Sequence, residues 1–340
     1  MKSRKTCLVT GGAGYVGSTL IRELLASDYN VRCIDMLIYG DKALKGLSNN
    51  PRFEFIFGDI RDKKILNSCL KDVDFVIHLA AIVGDKPCQA APESAYQINY
   101  FGTKILGELA KKSGVNKFIF ASTCSNYGIS DPNSYATEES KLNPVSLYAE
   151  TKIDCEKFLS SISDEKFSVV NLRFGTAYGM SFRTRFDLTV NSFAYEALTD
   201  KKIVIFSADT WRPYVHVLDM SKIILKMLEI EKNKIKGTIF NAGFTNQNLT
   251  KRNIVEILEK IIPDLVIEYV PFSEDRRDYK VKFKKFEDLT KITNSKTVNE
   301  GYREILDAFK AKILTKKDYD SNNLKALTEF FSEKKFLFDR

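Results

Sequence analysis

The stretch Thr10-Gly11-Gly12-Ala13-Gly14-Tyr15-Val16-Gly17 constrains this chain more than any other. It follows a short apolar run, Cys7-Leu8-Val9, and opens a segment, Thr19 to Leu25, whose apolar residues recur at helical spacing. The spacing predicts strand, glycine turn, helix. Gly11, Gly14 and Gly17 let the backbone turn sharply, approach a pyrophosphate closely and seat helix on strand, while free N–H groups at the helix start face the anion. A tight turn without a ligand could use the same glycines, so the context has to decide. A second apolar run, Val31-Arg32-Cys33-Ile34, ends in Asp35, about twenty residues on, where a carboxylate can accept from both ribose hydroxyls. That carboxylate would repel a 2′-phosphate, so NAD is expected over NADP. Arg32 is the nearby cation that argues the other way.

With 340 residues, 44% of them hydrophobic, the chain can bury one large or two modest cores. Met1-Lys2-Ser3-Arg4-Lys5 leads straight into the first strand without a signal-peptide pattern, and no apolar run approaches the length of a membrane span. A cytoplasmic protein without a membrane partner is expected. The six cysteines lack paired metal spacing and read as free thiols. With only two histidines, His78 and His216, no metal site is expected. The net charge of +8 raises the question of nucleic acid. The lysines are dispersed, however, and the densest basic stretch, Lys280 to Lys285, alternates with Val281 and Phe283 as an edge strand would. No nucleic-acid-binding signature is present, and the excess charge suits an anionic nucleotide substrate.

Further along, Phe53 to Phe57 reads as a third strand closed by Gly58-Asp59-Ile60-Arg61-Asp62. Asp59 falls at a strand's carboxyl end, where an open parallel sheet presents ligand contacts, and Asp62 suits the cap of a helix from Lys63 to Leu70. A fourth strand, Phe75 to Leu79, ends in Ala80-Ala81, small enough for a cofactor to lie against the backbone, and His78 within it reads as a core residue. A helix containing Asn99 precedes a fifth strand, Phe118 to Phe120, which delivers Ala121-Ser122-Thr123-Cys124-Ser125-Asn126-Tyr127-Gly128 at its end. Tyr148 and Lys152 then stand at i and i+4 on a helix that begins near Ser146, so they share a face. An ammonium beside a phenol favours phenolate, and the expectation is a lowered pKa that makes Tyr148 a proton acceptor near neutrality. A hydroxyl at Thr123 could bond the same substrate oxygen.

In combination, TGGAGYVG, GDIRD, HLAA, the Asn99 helix, STCSNYG and YAETK resemble the extended short-chain dehydrogenase/reductases, and among them the NAD-dependent nucleotide-sugar epimerase/dehydratase group. The resemblance runs from Thr10 to about Ala308. It implies an α/β fold: a Rossmann-type doubly wound parallel sheet over residues 1–175, with strands and helices around 212–245 returning to it. A smaller α/β substrate domain would follow over 176–315 and a C-terminal tail helix over 316–340. By the same resemblance Tyr148 is the catalytic base and acid, Lys152 holds the nicotinamide ribose, and Thr123 assists. The cofactor contacts would be Gly11, Gly14, Tyr15, Val16, Gly17, Asp35, Asp59, Ile60, Leu79, Ala80, Ala81, Asn99, Tyr148 and Lys152. Sugar and diphosphate contacts would come from Val83, Ser125, Asn126, Thr176, Arg183, Asn191, Arg212 and Arg277. Related chains commonly carry Asn in place of Thr176 and Pro in place of Met180. A homodimer through the helices bearing Asn99 and Tyr148 is also implied.

The resemblance implies oxidation of a sugar carbinol by NAD, after which family members diverge. The 4,6-dehydratases place an Asp-Glu pair directly after the residue matching Thr123. Here Cys124-Ser125 stands there, and a serine cannot serve as a carboxylate base, so dehydration is disfavoured. Val83-Gly84-Asp85, Arg183 to Asp187, Leu249 to Arg252 and the Arg277 segment resemble enzymes that modify GDP-heptoses in bacterial capsule pathways, including a C4 oxidase. The expected activity is oxidation of a nucleotide-diphosphate sugar, GDP-linked by that likeness, to a 4-keto species that is released or 4-epimerised. A 4-keto reductase or 3,5-epimerase of the same fold, and an NAD-binding protein without turnover, are the alternatives.

Overall fold

The apolar runs assemble into one seven-stranded sheet in which every neighbouring pair is parallel. Across it the order is Phe53–Phe57, Asn30–Asp35, Thr6–Thr10, Phe75–His78, Lys117–Thr123, Ser168–Phe174 and Thr238–Ala242. This computed structural model describes residues 4–131, 133–272 and 275–333. Parallel strands need both faces covered, and alternate residues divide between two cores accordingly. Cys7, Val9, Ile77, Ile119 and Val170 face one core, with helices Tyr15–Ala26 and Val217–Glu229 on it. Leu8, Val76, Phe118, Phe120 and Val169 face the other, beneath helices Thr103–Lys112 and Leu147–Ser161.

The strand order reverses between Thr6–Thr10 and Phe75–His78. The two helices that leave there diverge, and a crevice opens at the carboxyl ends of these strands. His78 lies in that strand as a core residue, its ring nitrogens bonded to Thr10 Oγ1 at 2.7 Å and Thr103 Oγ1 at 2.8 Å. Asp62 caps the next helix by accepting from the Lys64 and Ile65 N–H groups.

The later chain has a core of its own, a second one apart from the two faces of the sheet, built on Tyr178, Phe193, Ile203, Tyr214, Leu258 and Tyr302 beneath helices Thr189–Thr199, Lys251–Glu259 and Val298–Lys310. Between its segments the chain returns to the sheet: helix Val217–Glu229 packs on helix Tyr15–Ala26, and Thr238–Ala242 extends the parallel edge beside Ser168–Phe174. His216 caps that returning helix and bonds Glu304 at 2.9 Å.

Two sequence expectations change. Only Lys280–Val281 forms a strand, paired with Tyr135–Ala136, and the chain then turns into helix Lys284–Thr290. Val281 and Phe283 are drawn into a small cluster with Tyr127 and Tyr279, which ends the extended run. The expected tail helix is two helices, Lys316–Asp320 and Asn323–Glu333, broken at Ser321-Asn322. Phe336 and Phe338, read with that tail, lie outside the described residues. All six cysteines are buried and free, no group among the described residues could hold a metal ion, and no described helix is long and apolar enough to cross a membrane.

Helix Leu147–Ser161 is tied to the sheet by a buried ion pair. Arg173 Nη2 meets Glu156 Oε2 at 2.7 Å with both side chains 3% exposed, and Glu156 also accepts from Ser122 and Asn126. Glu156→Ala would strand the Arg173 charge in the interior, and the expected loss of stability is about 3–5 kcal/mol by urea denaturation. A loss below about 1 kcal/mol, the size found for exposed pairs, would show that the guanidinium is hydrated instead.

Candidate active site

One cleft of about 1320 Å³ runs from the glycine turn to the second core. At its first end Gly11 has φ +74°, and a Cβ there would lie 2.7 Å from the Ala80 backbone nitrogen, while a Cβ on Gly17 would fall on the Gly11 carbonyl. Both positions therefore require glycine. Gly14 begins helix Tyr15–Ala26 with no side-chain cap, so the first-turn N–H groups have no side-chain acceptor. That is a cradle for a pyrophosphate. Val16, Ile60, Leu79, Ala80 and Ala81 line the same end of the cleft.

Asp35 lines it too, oriented by the Ala13 and Leu37 N–H groups at 2.9 and 2.8 Å. Burial raises its pKa against those bonds. Arg32 turns away, donating to Glu54 and to the Cys69 and Lys71 carbonyls, and so places no cation for a 2′-phosphate. The bare backbone donors and the fixed carboxylate together fit NAD.

Midway, Thr123, Tyr148 and Lys152 line the cleft together. Thr123 Oγ1 accepts from the Ser125 N–H at 3.1 Å, which leaves its O–H to donate. Lys152 Nζ donates to the Ala121 carbonyl at 2.8 Å and lies 5.8 Å from the centre of the Tyr148 ring. Burial pushes the Lys152 ammonium down to about 8. The expected lowering of the Tyr148 pKa is not what the protein alone produces. Burial pushes the phenol well above its ordinary value, and the largest opposing charge is Arg185, not Lys152.

Beyond them lies a basic end. Arg277 makes a bidentate pair with Asp275 at 2.8 Å and reaches Asp85 at 3.3 Å, while Arg212 meets Asp275 at 3.2 Å and lies over the Tyr279 ring. Burial pushes the Asp275 carboxyl up, but Arg277 and then Arg212 outweigh it and hold that group below the usual carboxylate range. Val83, Ser125, Thr176 and Arg183 also line the cleft.

Five of the singled-out residues have their side chains committed elsewhere. Asp59 pairs with Arg61 at 2.6 Å, although its neighbours Gly58 and Ile60 face the cleft. Asn99 is spent on both backbone groups of Ile82, which fixes the loop after Ala81. Asn126 donates to Glu156, and Asn191 holds the Gly179 N–H and the Arg185 carbonyl. Tyr15 lines the cleft with its ring, and its hydroxyl donates to the Gly179 carbonyl at 2.6 Å, fastening the glycine turn to the second half of the chain. Conversely, Arg185, Tyr279 and Asp85 face the cleft although the sequence did not single them out as site residues. Arg185 is bidentate to Asp187, and the Arg-Thr-Arg-Phe-Asp order at 183–187 is the signal that could have marked it.

Comparison with known proteins gives the family and the fold. Residues 7–243 match the family described as the NAD dependent epimerase/dehydratase family. A putative UDP-glucose 4-epimerase of Methanocaldococcus jannaschii is 32% identical over 74% of this chain and 81% of its own length. The UDP-glucose 4-epimerase of Bacillus subtilis is 29% identical over 75% and 81%. Among solved structures, a UDP-glucuronic acid 4-epimerase from Bacillus cereus, in complex with UDP-glucuronic acid and NAD, superposes with a TM-score of 0.81 at 28% identity, covering 90% of this chain and 99% of that one. The dTDP-glucose 4,6-dehydratase DesIV from Streptomyces venezuelae, with NAD bound, also gives 0.81, at 26% identity over 90% and 98%. With its glycine turn, its Asp35 and its Tyr148/Lys152 pair in one cleft, the chain belongs to the NAD dependent epimerase/dehydratase family.

Proposed function

We propose that this protein oxidises the C4 hydroxyl of a nucleotide-diphosphate sugar and completes a 4-epimerisation. The observation that carries the reading is one continuous cleft, with a dinucleotide cradle at one end, Arg212 and Arg277 at the other, and Thr123, Tyr148 and Lys152 between them. Held at the cradle by the first-turn N–H groups and Asp35, NAD would supply a hydride acceptor for the sugar C4 and a hydride donor to the opposite face of the resulting ketone. Tyr148 takes the hydroxyl proton as the C–H bond breaks and gives it back when hydride returns, and Thr123 donates to the same oxygen. Arg212 and Arg277 suit a diphosphate, because a guanidinium fork matches phosphate oxygens two at a time.

Dehydration is disfavoured. Cys124, which follows Thr123, is buried with its thiol on the Arg173 carbonyl, and Ser125 carries only a hydroxyl. Of the carboxylates that line the cleft, Asp85, Asp187 and Asp275 are each ion-paired to an arginine, and Asp35 is held at the cradle by the Ala13 and Leu37 N–H groups. Release of the keto sugar is the second reading, supported by the likeness of several segments to enzymes acting on GDP-heptoses. The relatives named as UDP-sugar 4-epimerases favour epimerisation. The deciding experiment incubates the protein with GDP-, UDP-, dTDP- and CDP-linked hexoses and heptoses, following nicotinamide absorbance and then product NMR. A new C4 stereoisomer without net NADH is expected. NADH accumulating with a keto product would establish release.

Tyr148→Phe is expected to retain NAD binding by fluorescence titration while turnover falls about 10²–10⁴-fold, the usual worth of a placed acid/base. Near-normal turnover in that variant would remove Tyr148 from the chemistry. The pH profile follows from the coupled pair. Lys152 titrates near 8 and Tyr148 well above its ordinary value, so one proton leaves the pair at an apparent pKa of about 8. The working form, phenolate beside ammonium, exists only in the singly protonated pair. Accordingly kcat/KM should rise as pH climbs toward about 8 and level off above it. Lys152→Met should displace that limb upward, and a profile that falls between pH 6 and about 8 would refute the assignment.

A further inference from the structure

The C-terminal segment, residues 315–331, crosses the cleft and is fastened on both sides of it. On one side the Tyr319 ring stacks on Tyr195 with centroids 3.8 Å apart and an interplanar angle of 18°, beside Phe186, all within the second core. On the other side Leu327, 1% exposed, is buried with Ile60, Ile82 and Ile98, a cluster against which Ala80 and Tyr148 also pack. Ile60 and Ala80 belong to the cradle described above. Between the two anchors, Asp320, Asn322, Leu324 and Lys325 line the cleft itself.

Apart from the Tyr319 hydroxyl, which donates to Glu196 at 3.4 Å on the side of the second core, the side-chain polar contacts that tie this segment to the rest of the chain fall on the dinucleotide side. Asp318, which completes a capping box with Thr315, pairs with Lys42 at 2.5 Å. Asn323 is fully buried and accepts from Arg183 Nη2 at 2.6 Å. The Arg183 guanidinium in turn lies 3.9 Å from the centre of the Tyr39 ring, in the loop that follows Asp35. Arg183 thus lies against both the segment and the loop that follows the carboxylate read as the ribose ligand.

We infer that residues 315–331 form a strap that holds the dinucleotide in its cleft between turnovers. The Ser321-Asn322 break between the two helices gives the chain the turn it needs to pass from one anchor to the other. Arg183, beyond lining the cleft, serves as the strap's latch. Exchange of the dinucleotide then requires at least one anchor to let go, which makes release slow compared with a cleft open on that side. Resting on the reading of a 4-epimerase, this suits a reaction that returns its hydride and consumes no external NAD.

The test measures NAD retention rather than activity. The full-length protein is loaded with NAD, passed through a desalting column, and its release into a large excess of unlabelled NAD is followed with isotopically labelled cofactor. Tyr319→Ala and Leu327→Asp each remove one anchor, and each is expected to speed release at least tenfold while the urea midpoint stays within the folded range. Release at the wild-type rate in both folded variants would overturn the strap and leave the proposed function standing. A wild-type protein that binds no NAD would overturn both. Should either variant fail to fold, hydrogen exchange on the wild type decides. Protection of amides in 315–331 rising when NAD is added is the expected result, and unchanged protection refutes the strap.

Discussion

At the switch point of the sheet the ends of two adjacent strands come so close that no Cβ fits between them. Gly11 lies against the Ala80 backbone, and Gly17 against Gly11 itself. This close approach makes the cleft floor bare backbone, and bare backbone lets a pyrophosphate reach the first-turn N–H groups of helix Tyr15–Ala26. It also sets the position of everything downstream. The Tyr15 hydroxyl, one residue beyond the turn, holds the Gly179 carbonyl, and Ser18 and Thr19 meet Ser181, so the loop carrying Arg183 and Arg185 is referenced to the same glycine turn. The distance between the cofactor end and the basic end of the cleft is thereby set by hydrogen bonds across more than 160 residues of sequence.

The pair proposed to react, Tyr148 and Lys152, illustrates how desolvation competes with charge. An ammonium near a phenol stabilises phenolate, but burial penalises both ions at once, and in this cleft burial is the largest influence on each. Lys152 is therefore the group whose proton is loosened, and Tyr148 alone is a weak base. Arg185 lowers the phenol's pKa but burial outweighs it, so the phenolate–ammonium form becomes competitive only with further positive charge near the ring. The buried Glu156 carboxylate, one further turn along the same helix, takes up Arg173, Ser122 and Asn126. Those bonds fix the strand end that presents Thr123 without placing a negative charge in the cleft.

Features governed by short-range spacing were legible in the sequence. The glycine turn, Asp35 and the Tyr148/Lys152 pair are each defined within a few residues of chain, and the first strands of the sheet follow from apolar runs at regular intervals, whereas the return of the late chain to the sheet was legible only through the resemblance to the extended short-chain dehydrogenase/reductases. Side-chain direction was not legible. Asn99, Asn126 and Asn191 carry amides that could face a ligand, yet Asn99 and Asn191 satisfy buried backbone N–H groups, whose loss behind the cleft costs more than an amide left for water in front of it, and Asn126 donates to the buried Glu156 carboxylate. Pairings such as Arg277 with Asp85 depend on segments nearly two hundred residues apart, which no local pattern encodes. The Lys280–Lys285 stretch is a strand only over Lys280–Val281 for a related reason. Burial of Val281 and Phe283 satisfies an alternating pattern for two residues and then a helix start equally well.

Charge in the substrate end deserves to be separated from charge on the surface. The +8 excess is spread over lysines and acts at long range, where salt screens it within about 8–10 Å. In the cleft the opposite arrangement holds: Arg185, Arg212 and Arg277 each carry an aspartate partner, and Asp275 serves two of them. Such a set has little net charge with which to attract any anion that passes. What it offers is direction, since a guanidinium braced from behind by a carboxylate keeps its remaining N–H groups aimed at fixed points. A ligand must therefore place its oxygens at those points to gain from them. On the proposed reading, selection of the substrate rests on the geometry of its phosphates and on their distance from Tyr148, while the surface lysines affect only how fast an anion arrives.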